Sequence, residues 1–351
     1  MYRNTKNVPY YVFGRGSLAQ LGDLLKPRRE AVDGPVVYFV DHFFRDHELI
    51  GRLPMEKGDQ LHFVDSSSEP EVTRIDAFKE AVSAADSRTP CCVVGIGGGN
   101  ALDTAKAVAN LLTNPGKAED YQGWELVKNP AVYKIGIPTL SGTGSECSRT
   151  CVLTNIPKNL KLGMNSDYTV YDQLLLDPDL QYFYTGIDTF MHCVESLQGS
   201  YRNAIIDAFS VRAVQLCEEI FLSDDMMSEE NREKMMIASY IGGMAAGNVG
   251  VIHPFSAGLG VVLHVAHGLG NCLALNVLGD IYPKEYKQFR TMIERQGVNL
   301  PTGICKDLTE EQYEGLYRGC IVHEKPLTNA LGPDFKQILT RENLIERYKS
   351  I

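Results

Sequence analysis

Asp188, His192, His253 and His267 are the residues whose types and spacing promise the most chemistry in this sequence. Asp188 and His192 stand four positions apart in Gly186-Ile187-Asp188-Thr189-Phe190-Met191-His192, so a helix would set both on one face, within reach of a shared cation. His253 and His267 are fourteen apart, about 21 Å of rise on one straight helix. Both reach one ion only if the chain folds back between them, and Gly258 and Gly260 are expected to give it that freedom. Three imidazoles and one carboxylate suit Zn²⁺ or Fe²⁺ and leave a coordination position for a substrate oxygen. Any one of these histidines alone would be read as a core residue; the set argues for a metal site.

A second kind of chemistry lies upstream. Gly97-Gly98-Gly99-Asn100 follows an apolar run and opens a helical stretch, where backbone N–H groups and the helix dipole favour a phosphate. The run is not a G-x-G-x-x-G fingerprint, and a glycine triplet alone also suits a plain strand-to-helix turn. Another small-residue loop, Pro138-Thr139-Leu140-Ser141-Gly142-Thr143-Gly144-Ser145-Glu146, follows the next strand and offers hydroxyls and N–H groups in the same neighbourhood. Two such loops at successive strand ends point to a dinucleotide. Asp41, directly after Val36–Val40, is placed to bond a ribose 2′-hydroxyl and to repel the extra phosphate of NADP, so NAD is the expected cofactor; the plain alternative is a solvated loop acid.

The elements that must position these residues are legible in outline. Val36–Val40, Leu61–Val64, Cys91–Ile96 and Tyr133–Ile137 read as buried strands, and Glu71–Ala85 between the second and third carries apolar residues at helical spacing. Strand, helix, strand in repetition predicts a parallel α/β sheet. From about Asp179 onward long helical stretches dominate, among them Asn203–Phe221 and Glu229–Ala246. The expectation is an α/β dinucleotide-binding domain over 1–178 and a helical metal-binding and substrate domain over 179–351.

Composition narrows the partners. A net charge of -10 and a sequence pI near 5.4, with no cluster of Lys and Arg, argue against nucleic acid and anionic membrane surfaces. The opening residues MYRNTKNVPYYVFGRG lack the apolar stretch of a signal peptide, and no window resembles a membrane span. Nine cysteines without a C-x-x-C pair fit a reducing cytoplasm.

Taken together, these residues resemble the iron-containing (group III) alcohol dehydrogenases over nearly the whole chain. The resemblance is carried by Phe13-Gly14-Arg15-Gly16, the turn from Gly97 to Asn100 continuing to Asp103 and Lys106, the Pro138–Glu146 loop, the Asp188/His192 helix, and His253 with His267-Gly268. It implies a dehydroquinate synthase-like fold, a metal held by Asp188, His192, His253 and His267, and a cofactor bound by Asp41, Gly97, Gly98, Gly99, Asn100, Asp103, Thr139, Ser141, Thr143 and Lys161. Within the family, Tyr121–Pro130, Tyr184–Asp188 and Gly268–Cys272 are similar to a branch that oxidises the primary alcohol of a sugar acid.

Two departures from the family pattern stand out. Many members carry a histidine four residues after the first late ligand, assigned to proton transfer, where this chain has Ala257; His264 is the available substitute. The connection from Pro178-Asp179-Leu180 to Tyr184 is also shorter than usual. The expected reaction is hydride transfer from a primary alcohol to nicotinamide, with the cation as Lewis acid. Arg149, Lys128 and Arg202 are candidate cations for an anionic substrate, and a homodimer is an allowed assembly. The rivals are a general alcohol or aldehyde dehydrogenase, a lyase of the dehydroquinate synthase type, which would call for a denser set of basic residues, and a metal-binding protein without turnover.

Overall fold

The computed structural model describes residues 6–181, 183–184 and 186–351, with the side chains of Phe183 and Tyr184 outside the description. The start of the N-terminal stretch, Met1–Thr5, and two members of the short connection, Tyr182 and Thr185, therefore lie outside the described residues. The chain divides into two compact units: residues 1–155 with 162–184, and residues 156–161 with 185–351.

The strands are β1 (Tyr10–Phe13), β2 (Val36–Asp41), β3 (Gln60–Val64), β4 (Cys92–Gly97), β5 (Gly123–Trp124), β6 (Lys134–Pro138), β7 (Leu140–Ser141), β8 (Thr150–Asn155), β9 (Leu160–Asn165), β10 (Gln173–Leu176) and β11 (Phe183–Tyr184). Helices α1 (Leu21–Ala31), α2 (Val72–Ala85) and α3 (Gly99–Leu111) accompany them. Six strands form one parallel sheet in the order β1-β10-β6-β4-β2-β3. β2 and β4 are almost wholly buried, which is why they read as unbroken apolar runs rather than as alternating ones. One core cluster gathers Phe39, Val72, Ile75 and Val82 with the alanine-rich face of α3, and another gathers Tyr38, Val94 and Ile135 with α1. β8 and β9, joined with β5 in a small three-stranded sheet, were not read from the sequence. β8 buries only alternate residues and so lacks the long apolar run that marks the central strands.

Strand order reverses between β2 and β4, since β3 lies on one side of β2 and β4 on the other. In an open parallel sheet, ligands bind outside the carboxyl ends of strands at such a switch point. Asp41 and Gly97 end those two strands.

The second unit is helical: α4 (Gly186–Gln198), α5 (Ala204–Phe221), α6 (Glu229–Gly243), α7 (Ile252–Leu263), α8 (His267–Val277), α9 (Pro283–Arg295), α10 (Glu310–Ile321), α11 (Glu324–Leu331), α12 (Phe335–Ile338) and α13 (Arg341–Lys349). Several of its starts follow capping chemistry: Asn203 accepts from the N–H of Ile206, Ser228 from that of Asn231, and Thr309 with Gln312 forms a capping box. The expected helix Glu229–Ala246 ends at Gly243, followed by a 3₁₀ turn over Ala246–Asn248. No helix among the described residues is long and apolar enough to cross a membrane. All nine cysteines are free and buried.

One expectation is corrected outright. The fold-back between His253 and His267 does not occur at Gly258 or Gly260, which lie inside α7. The reversal falls at His264, whose backbone is left-handed (φ 54°, ψ 30°) and ends the helix in the manner of a C-terminal cap. Gly258 serves packing instead: a Cβ there would stand 2.7 Å from the Leu316 carbonyl oxygen and 2.6 Å from Tyr348 Oη, so its absence lets α10 approach α7.

Candidate metal centre and dinucleotide-binding loops

In the first unit, the Gly97–Gly99 turn and the Pro138–Glu146 loop lie side by side. Thr139 donates its N–H to the Gly97 carbonyl at 3.0 Å. Gly97 has φ 148°, and a Cβ there would fall 2.7 Å from Ala101 Cβ and 2.9 Å from Asp41 Cβ, so only glycine fits. Gly98 abuts Leu140, and Thr143 Oγ1 would lie 3.1 Å from a Cβ on Gly99. Helix α3 starts at Gly99 and presents its N-terminus at this point. Asp41 accepts from the Phe43 N–H at 3.0 Å and from Ser66 Oγ at 2.7 Å, which fixes the carboxylate at the switch point.

Three of the residues expected at the cofactor also make hydrogen bonds within the protein. Asn100 donates to the carbonyls of Ser66 and Ser68, tying α3 to the loop after β3. Asp103 is buried, bonds Ser145 Oγ, accepts from the Val152 N–H at 2.8 Å and pairs with Lys106 at 2.9 Å. Ser141 Oγ donates to Gln181 Oε1 at 2.5 Å. These bonds brace the loops, a fact that spacing along the chain could not reveal. Lys161 is buried and belongs with the second unit, its Nζ 3.7 Å from a Cβ position on Gly260.

In the second unit, Asp188, His253 and His267 each direct a ligand-type atom into one cluster, all three within 4.8 Å of one another. His253 Nε2 is 3.2 Å from Asp188 Oδ1, and His267 Nε2 is 3.4 Å from Asp188 Oδ2. His192, one turn after Asp188 on α4, has Nε2 3.8 Å from Asp188 Oδ1 and stacks on His253 with ring centroids 4.5 Å apart. The helix α4, the first turn of α7 and the first residue of α8 thus supply the set. The donors fit a divalent cation: three imidazole Nε2 atoms lie 3.2–3.8 Å from the Asp188 carboxylate, whose buried Oδ2 has no hydrogen-bond partner.

The electrostatics run in opposite directions within the cluster. Burial alone would raise the Asp188 carboxyl, but His192, His267 and His253 outweigh it and hold it well below the usual carboxylate range. Burial lowers His192 to about 3, with Asp188 opposing. For His253 burial also lowers, yet Glu195 and Asp188 prevail and bring it up to about 9.

Three residues that the sequence left unassigned surround the cluster. Glu195, a turn beyond His192, bonds His253 Nδ1 through Oε2 and accepts from the Ile252 N–H at 2.6 Å through Oε1. Asn271, one turn after His267, donates to Asp188 Oδ1 at 2.6 Å. Their i+3 and i+4 spacing from ligands was the available signal. His323, just beyond α10, has a buried Nε2 without a hydrogen-bond partner, and burial with the charges of Lys161 and His253 lowers it to about 4.

His264, the expected proton relay, is exposed at the end of α7 and makes no hydrogen bond to the cluster among the described residues. The three candidate cations are engaged as well. Arg149 pairs with Glu125 and Asp167, Lys128 Nζ donates to the Glu125 carbonyl, and Arg202 pairs with Asp207.

The chain thus combines a parallel α/β unit with a glycine turn at its switch point and a helical unit carrying a carboxylate–imidazole cluster. The chain belongs to the iron-containing alcohol dehydrogenase family: the iron-containing alcohol dehydrogenase model matches residues 9–178, and that of the family's C-terminal region matches 182–315. It is 34% identical to sulfoacetaldehyde reductase of Bilophila wadsworthia over 220 residues, which cover 59% of this chain and 56% of that protein. It is 29% identical to NAD-dependent methanol dehydrogenase of Bacillus methanolicus, over 75% of this chain and 71% of that one. Among solved structures, sulfoacetaldehyde reductase from Bifidobacterium kashiwanohense in complex with NAD⁺ superposes with a TM-score of 0.79 at 24% identity, covering 99% of this chain and 98% of that one. That last likeness is one of fold.

Proposed function

We propose that this protein oxidises a primary alcohol with NAD as hydride acceptor, and that its substrate is the C8 alcohol of 3-deoxy-α-D-manno-octulosonate (Kdo), converted to the aldehyde ahead of amination to 8-amino-Kdo, a lipopolysaccharide sugar. The observation that carries the reading is the convergence of Asp188, His253 and His267 on one point, with His192 stacked beside them. Asp188, His192, His253 and His267 would hold one divalent ion, Fe²⁺ or Zn²⁺, which supplies Lewis acidity toward an alcohol oxygen. Glu195 orients the His253 ring so that Nε2 points inward. At the switch point, Gly97, Gly98, Gly99, Thr139 and Thr143 would receive the pyrophosphate and Asp41 the ribose; the family resemblance also assigns Lys161 to the cofactor. We assign 1–178 to the dinucleotide and 179–351 to the metal and substrate, and place the protein in the cytoplasm, where nine free thiols persist.

The sugar-acid assignment rests on the likeness of Tyr121–Pro130, Tyr184–Asp188 and Gly268–Cys272 to the Kdo 8-oxidase branch. A second reading, reduction of a small anionic aldehyde, is favoured by the identity to sulfoacetaldehyde reductase. A panel of Kdo, simple primary alcohols and sulfoacetaldehyde, run in both directions with NAD and NADH and with added Fe²⁺ or Zn²⁺, decides between them. NADH formation with Kdo and its loss in His267→Ala, together with bound metal, is the expected result. Full activity and stoichiometric metal in His267→Ala would sink the centre.

A further inference from the structure

We propose that His323 is a specificity-determining residue for the alcohol: its Nε2 hydrogen-bonds a hydroxyl on the carbon next to the one oxidised, so that the protein favours vicinal diols and polyols over simple primary alcohols. The inference rests on the reading of the helical unit as an alcohol-oxidising centre and names the class of alcohol. Helix α10 runs antiparallel to α7: a Cβ on Gly315 would lie 3.0 Å from Val262 Cγ2, and one on Gly319 would lie 2.9 Å from Gly258 Cα. Four residues forward along α10 thus match four residues back along α7. The same step once more sets His323, just past the end of α10, level with the first turn of α7, which carries His253. His323 also stands at the N-cap of α11, where a polar side chain usually accepts from the free N–H groups of the first turn. Its side chain makes no such bond, and its buried Nε2 has no hydrogen-bond partner among the described residues.

The surroundings favour a neutral hydroxyl as the missing partner. Ala257 and Gly260 follow His253 by four and seven residues, so all three share one face of α7, where the last two contribute only a methyl group and a hydrogen. Lys161 Nζ lies 3.7 Å from the Cβ position of Gly260. Burial, with the charges of Lys161 and His253, brings the His323 imidazole down to about 4, so it is uncharged at neutral pH. An uncharged ring gives a carboxylate or sulfonate little electrostatic attraction. A hydroxyl both donates and accepts, and so fits either tautomer of the ring. A buried polar atom left open in the free protein is closed by a ligand that brings the matching group, and a site of that kind rejects an analogue lacking it. The C8 alcohol of Kdo has such a neighbour in its C7 hydroxyl; the reduced form of sulfoacetaldehyde has none.

The test uses the full-length protein loaded with Fe²⁺ or Zn²⁺ and the matched pair 1,2-propanediol and 1-propanol, followed as NADH formation. The native protein should show a kcat/KM at least about tenfold higher for the diol. His323→Leu should bring that ratio close to one, whereas His323→Gln, whose amide nitrogen can occupy the place of Nε2, should keep much of it. A native ratio near one overturns the proposal, as does a His323→Leu ratio equal to the native one, because a merely structural role lowers both alcohols together and leaves the ratio in place. Should His323→Leu fail to fold, His323→Phe, which keeps a planar ring without the nitrogen, replaces it in the same comparison. A native protein that forms NADH with neither alcohol nor Kdo sinks the oxidoreductase reading and this inference with it, an outcome told apart from a ratio near one by the absence of turnover.

Discussion

The carboxylate of Glu195 holds two neighbours of the second unit at once: one oxygen bonds His253 Nδ1 and the other accepts from the Ile252 N–H at 2.6 Å. The side chain of Glu195 is fully buried, so the start of α7 and the tilt of the His253 ring are fixed together. Carboxylates that anchor a ligating imidazole typically change metal affinity by about 10–100-fold when altered, or roughly 1.4–2.7 kcal/mol. Glu195→Gln is expected to weaken metal binding by that amount, measured by chelator competition; native affinity in the variant would show that the ring is held by packing alone.

Asp41 ends β2 at the switch point with its carboxylate fixed by Ser66 and the Phe43 N–H. A ribose 2′-phosphate brought against it would meet a fixed negative charge. Asp41→Ser should shift the ratio of kcat/KM for NADP over NAD upward by at least about tenfold. An unchanged ratio would remove Asp41 from the ribose.

Stability has its own pH signature at Asp59, whose side chain is only 2% exposed. Burial would raise its pKa, but hydrogen bonds from Arg29 and from the N–H groups of Glu56 and Val36 outweigh burial and lower it below 3.8. A depressed carboxylate contributes stability that is fully present above its unfolded value and fades as pH falls through the folded one. Asp59→Asn should cost about 2–4 kcal/mol at neutral pH, less below about pH 4. Denaturant unfolding at pH 7 and pH 3 measures it; a difference that does not narrow on acidification would contradict the assignment.

Gly258 sets how closely α7 and α10 pack. With Leu316 O and Tyr348 Oη at 2.7 Å and 2.6 Å from its Cβ position, Gly258→Ala must push the helices apart, at a cost of about 1–3 kcal/mol. Because α7 also carries His253, metal affinity should fall along with thermal stability. Thermal unfolding of the metal-free and metal-loaded protein separates the two, and a variant as stable as the native chain would refute the packing role.

What the sequence by itself determined is what short-range pattern encodes. Val36–Val40 and Cys91–Ile96 announce buried parallel strands because both faces are covered and no polar alternation is needed. Gly97–Asn100 announces its turn because a strand end and a helix start flank it, and Asp188 with His192 announces a shared face because a helix repeats every 3.6 residues. The tertiary structure decided which polar atoms meet. Asn271 reaches Asp188 across 83 positions and Glu195 reaches His253 across 58, pairings that no local period contains. The same holds for Asn100, Asp103 and Ser141, whose side chains bond Ser68, Val152 and Gln181, and for the chain reversal at His264 rather than at Gly258. A buried polar atom must find a partner wherever packing provides one, and packing is a property of the whole fold rather than of any segment.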